Sequence, residues 1–323
     1  DPESGEVVDY VGGLADLEAG VIRAVGDPAV RFREDRLRML RAVRFASVLE
    51  FRIEAGTLAA IAAQADRLRD VSAERIGSEF VRLLCESPRP SVGLGLLRET
   101  GLLAQFLPEV EALYGTRQPP QFHPEGDVWT HTCLMLDALS APRDPDLALG
   151  VLLHDVGKPV TACVQAAPDG EGRIRFPNHA PVGARMSGAV LSRLRQPAAR
   201  IEAVQSLVLG HMQFIEAPKM RRAKLRRFLG APGFPNMLEL MRLDVLHSNK
   251  DFASWQFLKD ALESFRSEPA LPAPLVRGRD LVAWGVPPGP AVGRLLQALY
   301  DEQLEGRLAS VEEARARVLR GEV

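Results

Sequence analysis

The stretch that most constrains the fold runs from Arg31 to Ala46 and contains neither proline nor glycine. Asp27 and Pro28 stand just before it, and two acidic residues fall in its first turn, where negative charge suits the positive end of the helix dipole. We therefore predict a helix over residues 31–46. Because Leu, Ala, Arg and Glu are frequent throughout and strand-like alternation is scarce, we predict a mostly α-helical protein.

One face of this helix carries groups that can distinguish nucleobases. Asp35, Arg38 and Arg41 follow one another at steps of three, and Arg31 stands four residues before Asp35, so all four can share a face. A carboxylate accepts from an amino group, and a guanidinium donates to an unprotonated ring nitrogen. Cytosine and adenine present an amino group beside an unprotonated ring nitrogen, whereas uracil and guanine present a carbonyl beside a ring N–H. The alternative is an ordinary intrahelical Asp35–Arg38 ion pair on a solvated face.

Two motifs surround these residues, an Asp-x-x-Gly-Gly-x-x-Asp-Leu element from Asp9 and an Arg-Phe-x-Glu-Asp-x-x-Arg element from Arg31. With both, the chain resembles the tRNA nucleotidyltransferases, which include the class II CCA-adding enzymes and the bacterial poly(A) polymerases. The resemblance implies that Asp35 and Arg38 are the amino-acid template for incoming CTP and ATP. It also implies that the nucleotide site includes Arg41, Asp16, Gly12 and Gly13.

Three of these residues have a simpler interpretation as well. Gly12 and Gly13 can form a tight turn that needs positive φ, and Asp16 can cap the following helix. From the residues alone, both interpretations stay open.

Members of the resembled family carry a catalytic head in which a Gly-Ser pair is followed by aspartates that hold Mg²⁺. We find no such element here, since Asp144-Pro145-Asp146 is typical of a turn before a helix. Nucleotidyl transfer needs those carboxylates, so we expect a chain that lacks the N-terminal head and does not polymerise alone. We predict four parts of the chain. Residues 1–30 are a remnant that links the head to the neck, and residues 31–115 are a helical neck and body with the template helix. Residues 116–265 are an all-helical HD domain, and residues 266–323 are a helical tail.

Length and composition narrow the class of protein further. A chain of 323 residues accommodates two or more domains, and the stretch 114–127, rich in Pro and Gly, is typical of a linker. The net charge of −2 offers no general basic field for RNA, so any RNA contact must use local patches. Three scattered cysteines, no leader sequence and no membrane-spanning apolar run predict a cytoplasmic protein without disulfides.

The second half of the chain has the pattern of a metal site. His131 is followed by His154-Asp155, directly after the apolar run Leu147–Leu153, and then by a distant Asp244. This pattern resembles the HD superfamily of metal-dependent phosphohydrolases. Two imidazoles and two carboxylates suit Mn²⁺, Ni²⁺, Fe²⁺ or Mg²⁺ rather than a soft thiolate site.

Other residues of this half extend the predicted centre. His179 and His211 can bind a second metal or contact the substrate, and Lys158 can neutralise phosphate charge. The predicted catalytic residues are His154, Asp155 and Lys158. His123 and His247 are interpreted as bystanders. A metal site can also persist as structure without hydrolase activity.

A basic run from Lys219 to Arg227 can meet a tRNA phosphate backbone. The residues predicted to do so are Arg221, Arg222, Lys224 and Arg226. The alternative is a solvated helix face, since blocks of charge commonly are.

These observations predict tRNA 3′-end maturation or repair by a CCA-adding-type nucleotidyltransferase with an HD domain, with tRNA, CTP and ATP as partners. Two alternatives remain, a stand-alone HD phosphohydrolase of a nucleotide or cyclic phosphate and a non-catalytic RNA-binding scaffold. The residues do not decide between CCA, CC-only, A-only and poly(A) addition, and they leave the oligomeric state open.

Overall fold

The computed structural model of the chain describes residues 7–140, 142–166, 172–265 and 269–323. It divides into two compact units, unit 1 with residues Asp1–Met212 and Glu239–Asp251, and unit 2 with residues Gln213–Leu238 and Phe252–Val323. Helices dominate both units, so the prediction of a mostly α-helical protein is confirmed. The domain limits predicted from the sequence stay predictions.

The α-helices up to Met212 are α1 Gly13–Glu18, α2 Pro28–Glu34, α3 Leu37–Leu49, α4 Ala55–Gln64, α5 Ala73–Glu86, α6 Pro90–Glu99, α7 Leu103–Phe106, α8 Pro108–Glu111, α9 Val128–Asp137, α10 Pro145–Leu153, α11 Lys158–Thr161, α12 His179–Arg193 and α13 Ala198–Gly210. The later ones are α14 Arg222–Leu229, α15 Phe234–Leu246, α16 Ala253–Ser264, α17 Gly278–Ala283, α18 Pro290–Leu304 and α19 Val311–Arg320. Two 3₁₀ helices span Ala65–Asp70 and Gln213–Lys219. Several α-helices begin with proline, whose fixed φ suits the first helical position.

Four short strands form two small sheets in unit 1. β1 Val21–Ile22 pairs in parallel with β2 Arg52–Ile53. β3 Cys163–Ala166 pairs antiparallel with β4 Gly172–Arg175. Both sheets are too small to form a core, which the helices supply instead.

The predicted single helix over residues 31–46 is wrong, because the structure has a break in it. α2 ends at Glu34, α3 begins at Leu37, and Asp35 between them is extended, with φ −148° and ψ 108°. The Asp35 carboxylate accepts from the backbone N–H of Leu37 at 3.1 Å. Aspartate favours such local bonds over a position inside a helix, so the Asp35 side chain bonds to the start of α3 and interrupts the long helix that was predicted.

The core of unit 1 lies first between α3 and α5. Met39, Leu40 and Val43 of α3 and Phe80 of α5 are completely buried. Burying each such side chain stabilises the fold by about 1.5–3 kcal/mol. Arg44 is buried beside them, and its Nε lies 2.7 Å from Glu79 Oε2. The carboxylate compensates the guanidinium charge, whose burial without a partner would destabilise the fold.

The second part of this core surrounds α10. Every residue from Leu147 to Leu153 is buried, so the apolar run noted in the sequence forms a buried helix. Helices α12 and α13 pack against each other, and α13 also packs against α10. This arrangement fixes the ends of three helices around His154 and Asp155, which directly follow α10.

Unit 2 has a hydrophobic core of its own. It is formed by the buried residues Val276, Leu281, Leu299, Leu308 and Ala314. Within the described ranges of the chain, no helix has the length and apolar character needed to cross a bilayer.

Candidate metal centre and nucleotide site

Six side chains predicted as metal ligands meet in unit 1. His131 lies on α9, His154 and Asp155 directly follow α10, His179 begins α12, His211 directly follows α13, and Asp244 lies on α15. Four of them, His131, His154, Asp155 and His211, are at most 2% exposed. His179 and Asp244 are each 14% exposed at the side chain.

Three of the histidines are oriented in the same way. The Nδ1 atoms of His154, His179 and His211 lie 2.8, 3.0 and 2.7 Å from the carbonyl oxygen three residues earlier in the chain. A carbonyl can only accept, so each Nδ1 carries the proton and each Nε2 keeps a lone pair. Metal-binding histidines are commonly held in this way.

The free ring nitrogens converge on Asp155. His154 Nε2 lies 3.1 Å from Asp155 Oδ2, while His179 Nε2 and His211 Nε2 lie 3.6 and 3.8 Å from Asp155 Oδ1. The Nε2 atoms of His179 and His211 are 3.3 Å apart. His131 Nε2 lies 3.2 Å from Asp244 Oδ1. The ligand atoms thus form two sets that share Asp155, one with His131 and His154 and one with His179 and His211.

The donor set fits a divalent metal. The buried atoms His131 Nε2, His154 Nε2 and Asp155 Oδ1 have no hydrogen-bond partner among the residues that the structure describes. A buried polar atom without a partner costs about 1–3 kcal/mol. Several such atoms directed at one another, all of nitrogen or carboxylate type, are explained by a cation that they bind together.

The electrostatics of the cluster suit ligands of this kind. Burial lowers the pKa of His211 to about 4 and also lowers the pKa of His179, so both rings are neutral at pH 7. Burial alone would raise the pKa of Asp155, but His154 and Lys158 hold it well below its usual range. Burial acts against charge on His131 too, yet Asp244 and Glu125 raise its pKa to about 9. A metal bound there must therefore displace a proton from His131.

Lys158 lies beside these ligands. Its Nζ is 2.6 Å from Asp155 Oδ2 and 2.6 Å from Gln118 Oε1. The residue is only 6% exposed. A buried ammonium at this position can neutralise the charge of a phosphate that approaches the centre.

Sequence reasoning missed two residues next to the centre and interpreted a third, His247, as a bystander. Glu125 Oε1 lies 2.7 Å from His131 Nδ1 and 2.9 Å from His123 Nδ1, and Gln118 contacts Lys158 as described above. The backbone oxygen of His247 also lies 3.2 Å from His131 Nδ1. The available signal was a His-Pro-Glu sequence shortly before His131, which the interpretation of 114–127 as a linker obscured.

The predicted template residues are close in space but do not pair with each other. Asp35 Oδ2 accepts from Arg75 at 2.8 Å, whereas Arg38 Nη1 contacts Glu34 at 2.6 Å and the backbone oxygen of Arg31 at 3.1 Å. The alternative of an Asp35–Arg38 ion pair is therefore wrong. Burial would raise the pKa of Asp35, but the bonds from Arg75 and the Leu37 backbone lower it, so this carboxylate is ionised at neutral pH.

A cleft of about 290 Å³ opens beside Arg38, and Asp35 is not among the residues that line it. Its lining includes Phe32, Phe45 and four arginines, namely Arg23, Arg31, Arg38 and Arg41. The Arg41 guanidinium lies 5.7 Å from the centre of the Phe45 ring. Cationic and aromatic side chains of this kind suit a nucleotide with its phosphates.

The Gly-Gly motif forms the start of α1. Gly12 has φ 75° there, as a tight turn requires, whereas Gly13 does not adopt positive φ, so the turn interpretation is confirmed for Gly12 and wrong for Gly13. The Asp9 carboxylate accepts from backbone N–H groups of this turn, including Leu14 at 2.9 Å. Asp16 does not cap the helix, because it lies inside α1 and contacts Arg23 at 2.9 Å.

The predicted RNA-contacting residues in and just before α14 divide into two kinds. Arg221, Arg222 and Lys224 are exposed. Arg226 is 3% exposed, and its guanidinium donates to the carbonyl oxygens of Pro269 and Ala270 at 2.9 Å each. The prediction that Arg226 contacts RNA is therefore wrong, because the fold already uses this side chain.

Two family models match the chain. Residues 50–114 match a model described as "Probable RNA and SrmB- binding site of polymerase A". Residues 127–247 match the HD domain. The second match contains all six predicted metal ligands.

Curated relatives and solved structures match over most of the chain. The CC-adding tRNA nucleotidyltransferase of Thermus thermophilus is 38% identical over 88% of this chain and 66% of its own length. The A-adding tRNA nucleotidyltransferase of Deinococcus radiodurans is 35% identical over 98% of this chain and 75% of its own length. This chain thus spans about two thirds to three quarters of these relatives.

One solved structure, the Bacillus stearothermophilus CCA-adding enzyme in complex with CTP, superposes with a TM-score of 0.66 at 25% identity. The match covers 99% of this chain and 70% of that one. By these similarities, the chain belongs to the family of CCA-adding-type tRNA nucleotidyltransferases.

Proposed function

We propose that this chain serves in tRNA 3′-end maturation or repair, with a nucleotide-selecting site at Asp35 and Arg38 and a metal-dependent phosphohydrolase site in its HD domain. The observation that carries the hydrolase part is the convergence of free Nε2 atoms on the buried carboxylate of Asp155. Family membership and the printed functions of the relatives support the tRNA part.

In the HD site, His131, His154, Asp155 and Asp244 would hold a divalent ion such as Mn²⁺, Ni²⁺, Fe²⁺ or Mg²⁺. His179 and His211, with Asp155, would bind a second one. Such an ion polarises a phosphoryl oxygen and makes a bound water more acidic.

The remaining side chains of the HD site bind and orient the substrate. Lys158 offsets the negative charge of the phosphate, and the burial of the cluster excludes bulk water, which strengthens each of these interactions. The substrates proposed are phosphate ends and cyclic phosphates, as on a damaged tRNA terminus.

In the nucleotide site, the groups needed for base selection are still available. Arg38 uses only Nη1 in its contacts within the described part of the chain, so Nε and Nη2 can donate to a bare ring nitrogen. The oxygens of Asp35 can each accept one more bond, which an exocyclic amino group would supply. Arg75 holds the carboxylate in place, and Arg41 offers charge for the triphosphate.

The test of base selection is the affinity of the chain for CTP, ATP, UTP and GTP, compared between wild type, Arg38→Ala and Arg33→Ala. Arg33 is exposed on the neighbouring helix, so its substitution removes the same charge outside the cleft. Losing charge-assisted hydrogen bonds worth about 1.5–3 kcal/mol should weaken CTP and ATP binding roughly 10-fold or more in Arg38→Ala only. Equal affinity for all four nucleotides, or equal losses in the two variants, would contradict the proposed template.

A second candidate is a stand-alone HD phosphohydrolase, since unit 1 contains all the ligands of the HD site. It predicts metal-dependent hydrolysis without any discrimination among nucleotides at the Arg38 cleft. A non-catalytic RNA-binding scaffold predicts RNA binding with neither activity.

A further inference from the structure

The segment before α9 is a closed loop rather than an open linker. The Asp127 carboxylate accepts from the backbone N–H of Gly115 at 2.6 Å, and the N–H of Val128 donates to the backbone oxygen of Thr116 at 3.0 Å. These bonds join the two ends of residues 115–127, as in an Ω-loop. A segment tied at both ends cannot act as a flexible spacer, so its inward-facing side chains have fixed positions.

Glu125, near the end of this loop, controls the orientation of His131. Its Oε1 is 2.7 Å from His131 Nδ1, whereas the competing acceptor, the backbone oxygen of His247, is 3.2 Å away. The carboxylate is both closer and charged, so it forms the stronger bond. Both acceptors take a proton from Nδ1, so Nε2, which faces Asp244, is the nitrogen left to bind a metal once it has lost its own proton.

Gln118, near the start of the loop, contacts Lys158 in a similar manner. Gln118 is 5% exposed, and its Oε1 accepts from Lys158 Nζ at 2.6 Å, while Asp155 Oδ2 lies 2.6 Å from the same Nζ. The ammonium is thus held between the loop and the metal-binding carboxylate. Gln118 Nε2 is buried and has no partner in the part of the chain that the structure describes, so it remains available to donate to a phosphate oxygen.

We propose that loop 115–127 is a positioning element of the metal centre, in which Glu125 orients His131 and Gln118 holds Lys158 for a bound phosphate. This inference rests on the proposed HD metal site. It assigns a role to a segment that, apart from Asp127, lies between the two matched family models.

The test of the Glu125 part is the dissociation constant for Mn²⁺, measured by chelator competition on metal-free protein. Glu125→Ala should raise it about 10–100-fold, the usual effect of removing the carboxylate behind a metal-binding histidine. Glu125→Gln, which keeps an oxygen acceptor but loses the charge, should lie between that variant and wild type. Glu99→Ala, which removes an exposed carboxylate from α6, should bind as wild type does.

Two controls separate the possible failures. If wild type does not bind Mn²⁺, or if Asp155→Ala binds it equally well, the proposed metal site itself fails. If Asp155→Ala loses binding while both Glu125 variants bind as wild type, only the inference about Glu125 is overturned. Should Glu125→Ala not fold, the intermediate affinity expected of Glu125→Gln decides alone.

The Gln118 part is tested by the binding of inorganic phosphate to the Mn²⁺-loaded protein. Gln118→Met should weaken phosphate binding by about 10-fold, the worth of one good hydrogen bond to a charged group, and leave the Mn²⁺ dissociation constant near that of wild type. Unchanged phosphate affinity would overturn this part. A parallel loss of Mn²⁺ affinity would also overturn it, because Gln118 would then act on the metal ligands rather than on the phosphate.

Discussion

Gly157, between Asp155 and α11, offers a sharp test of how the site is built. A Cβ atom added to it would lie 2.2 Å from the carbonyl oxygen of His179 and 2.8 Å from the backbone nitrogen of Gly183. Both atoms belong to the first turns of α12, so they cannot rotate away as a side-chain end can. The φ of Gly157 is −79°, which any residue adopts. The requirement for glycine is therefore one of space and not of backbone conformation.

The cost of Gly157→Ala can be derived from this contact. Relieving it requires a separation of roughly 1 Å between the chain at Gly157 and the start of α12, and overpacking of this kind typically costs about 1–3 kcal/mol. Because α12 begins with His179, the same shift moves His179 Nε2, which now lies 3.6 Å from Asp155 Oδ1. We therefore expect lower stability and weaker metal binding together.

The assay is urea unfolding in the presence of a chelator, so that the metal makes no contribution, followed by Mn²⁺ titration of the folded protein. Gly95→Ala is the matched control, because Gly95 lies in α6 with no atom within 4 Å of the added Cβ. That control should gain about 0.5–1 kcal/mol, since alanine favours a helix interior over glycine. A Gly157→Ala protein as stable as wild type would refute the packing argument.

Three further results are expected. Arg226→Ala should lower the free energy of unfolding by about 2–3 kcal/mol, because its buried guanidinium donates to two carbonyl groups. Lys224→Ala on the exposed face should change that free energy by less than about 0.5 kcal/mol, and equal effects of the two substitutions in urea unfolding would contradict the prediction. Mn²⁺ at 100 times its dissociation constant should stabilise wild type by about 2.7 kcal/mol and leave the stability of Asp155→Ala unchanged, as measured by thermal unfolding. Equal shifts of the unfolding midpoint in both proteins would mean that the ion binds at a site without Asp155. Asp27→Ala should cost about 1 kcal/mol in the same urea assay, because Asp27 accepts from the first backbone N–H groups of α2, and no loss would show that this cap contributes little.

Much of the metal centre could be predicted from the sequence, because residue type and spacing are sufficient signals there. An apolar run followed by His-Asp places both residues at the end of a buried helix, and the structure does so for His154 and Asp155. The orientation of the rings could not be predicted, since it depends on carbonyl groups and on Glu125, whose position is decided by how the loop closes.

Two of the predictions that failed did so for identifiable physical reasons. The helix over residues 31–46 is interrupted because Asp35 bonds to the backbone of Leu37, a local competition that periodicity does not reveal. Arg226 belongs to a basic run, yet its guanidinium is buried against Pro269 and Ala270, which are more than forty residues away in the chain. A local charge pattern does not predict contacts between residues so far apart in the sequence.

The central claim is that the HD site is a metal-dependent phosphohydrolase, and its most direct test is hydrolysis of a 2′,3′-cyclic nucleotide and of phosphate-ended tRNA by this chain. The assay compares Mg²⁺, Mn²⁺ and Ni²⁺ for wild type and Asp155→Ala. We expect activity that depends on the metal and is lost in the variant. A folded wild-type protein with no activity under any metal, or equal activity in Asp155→Ala, would contradict the claim.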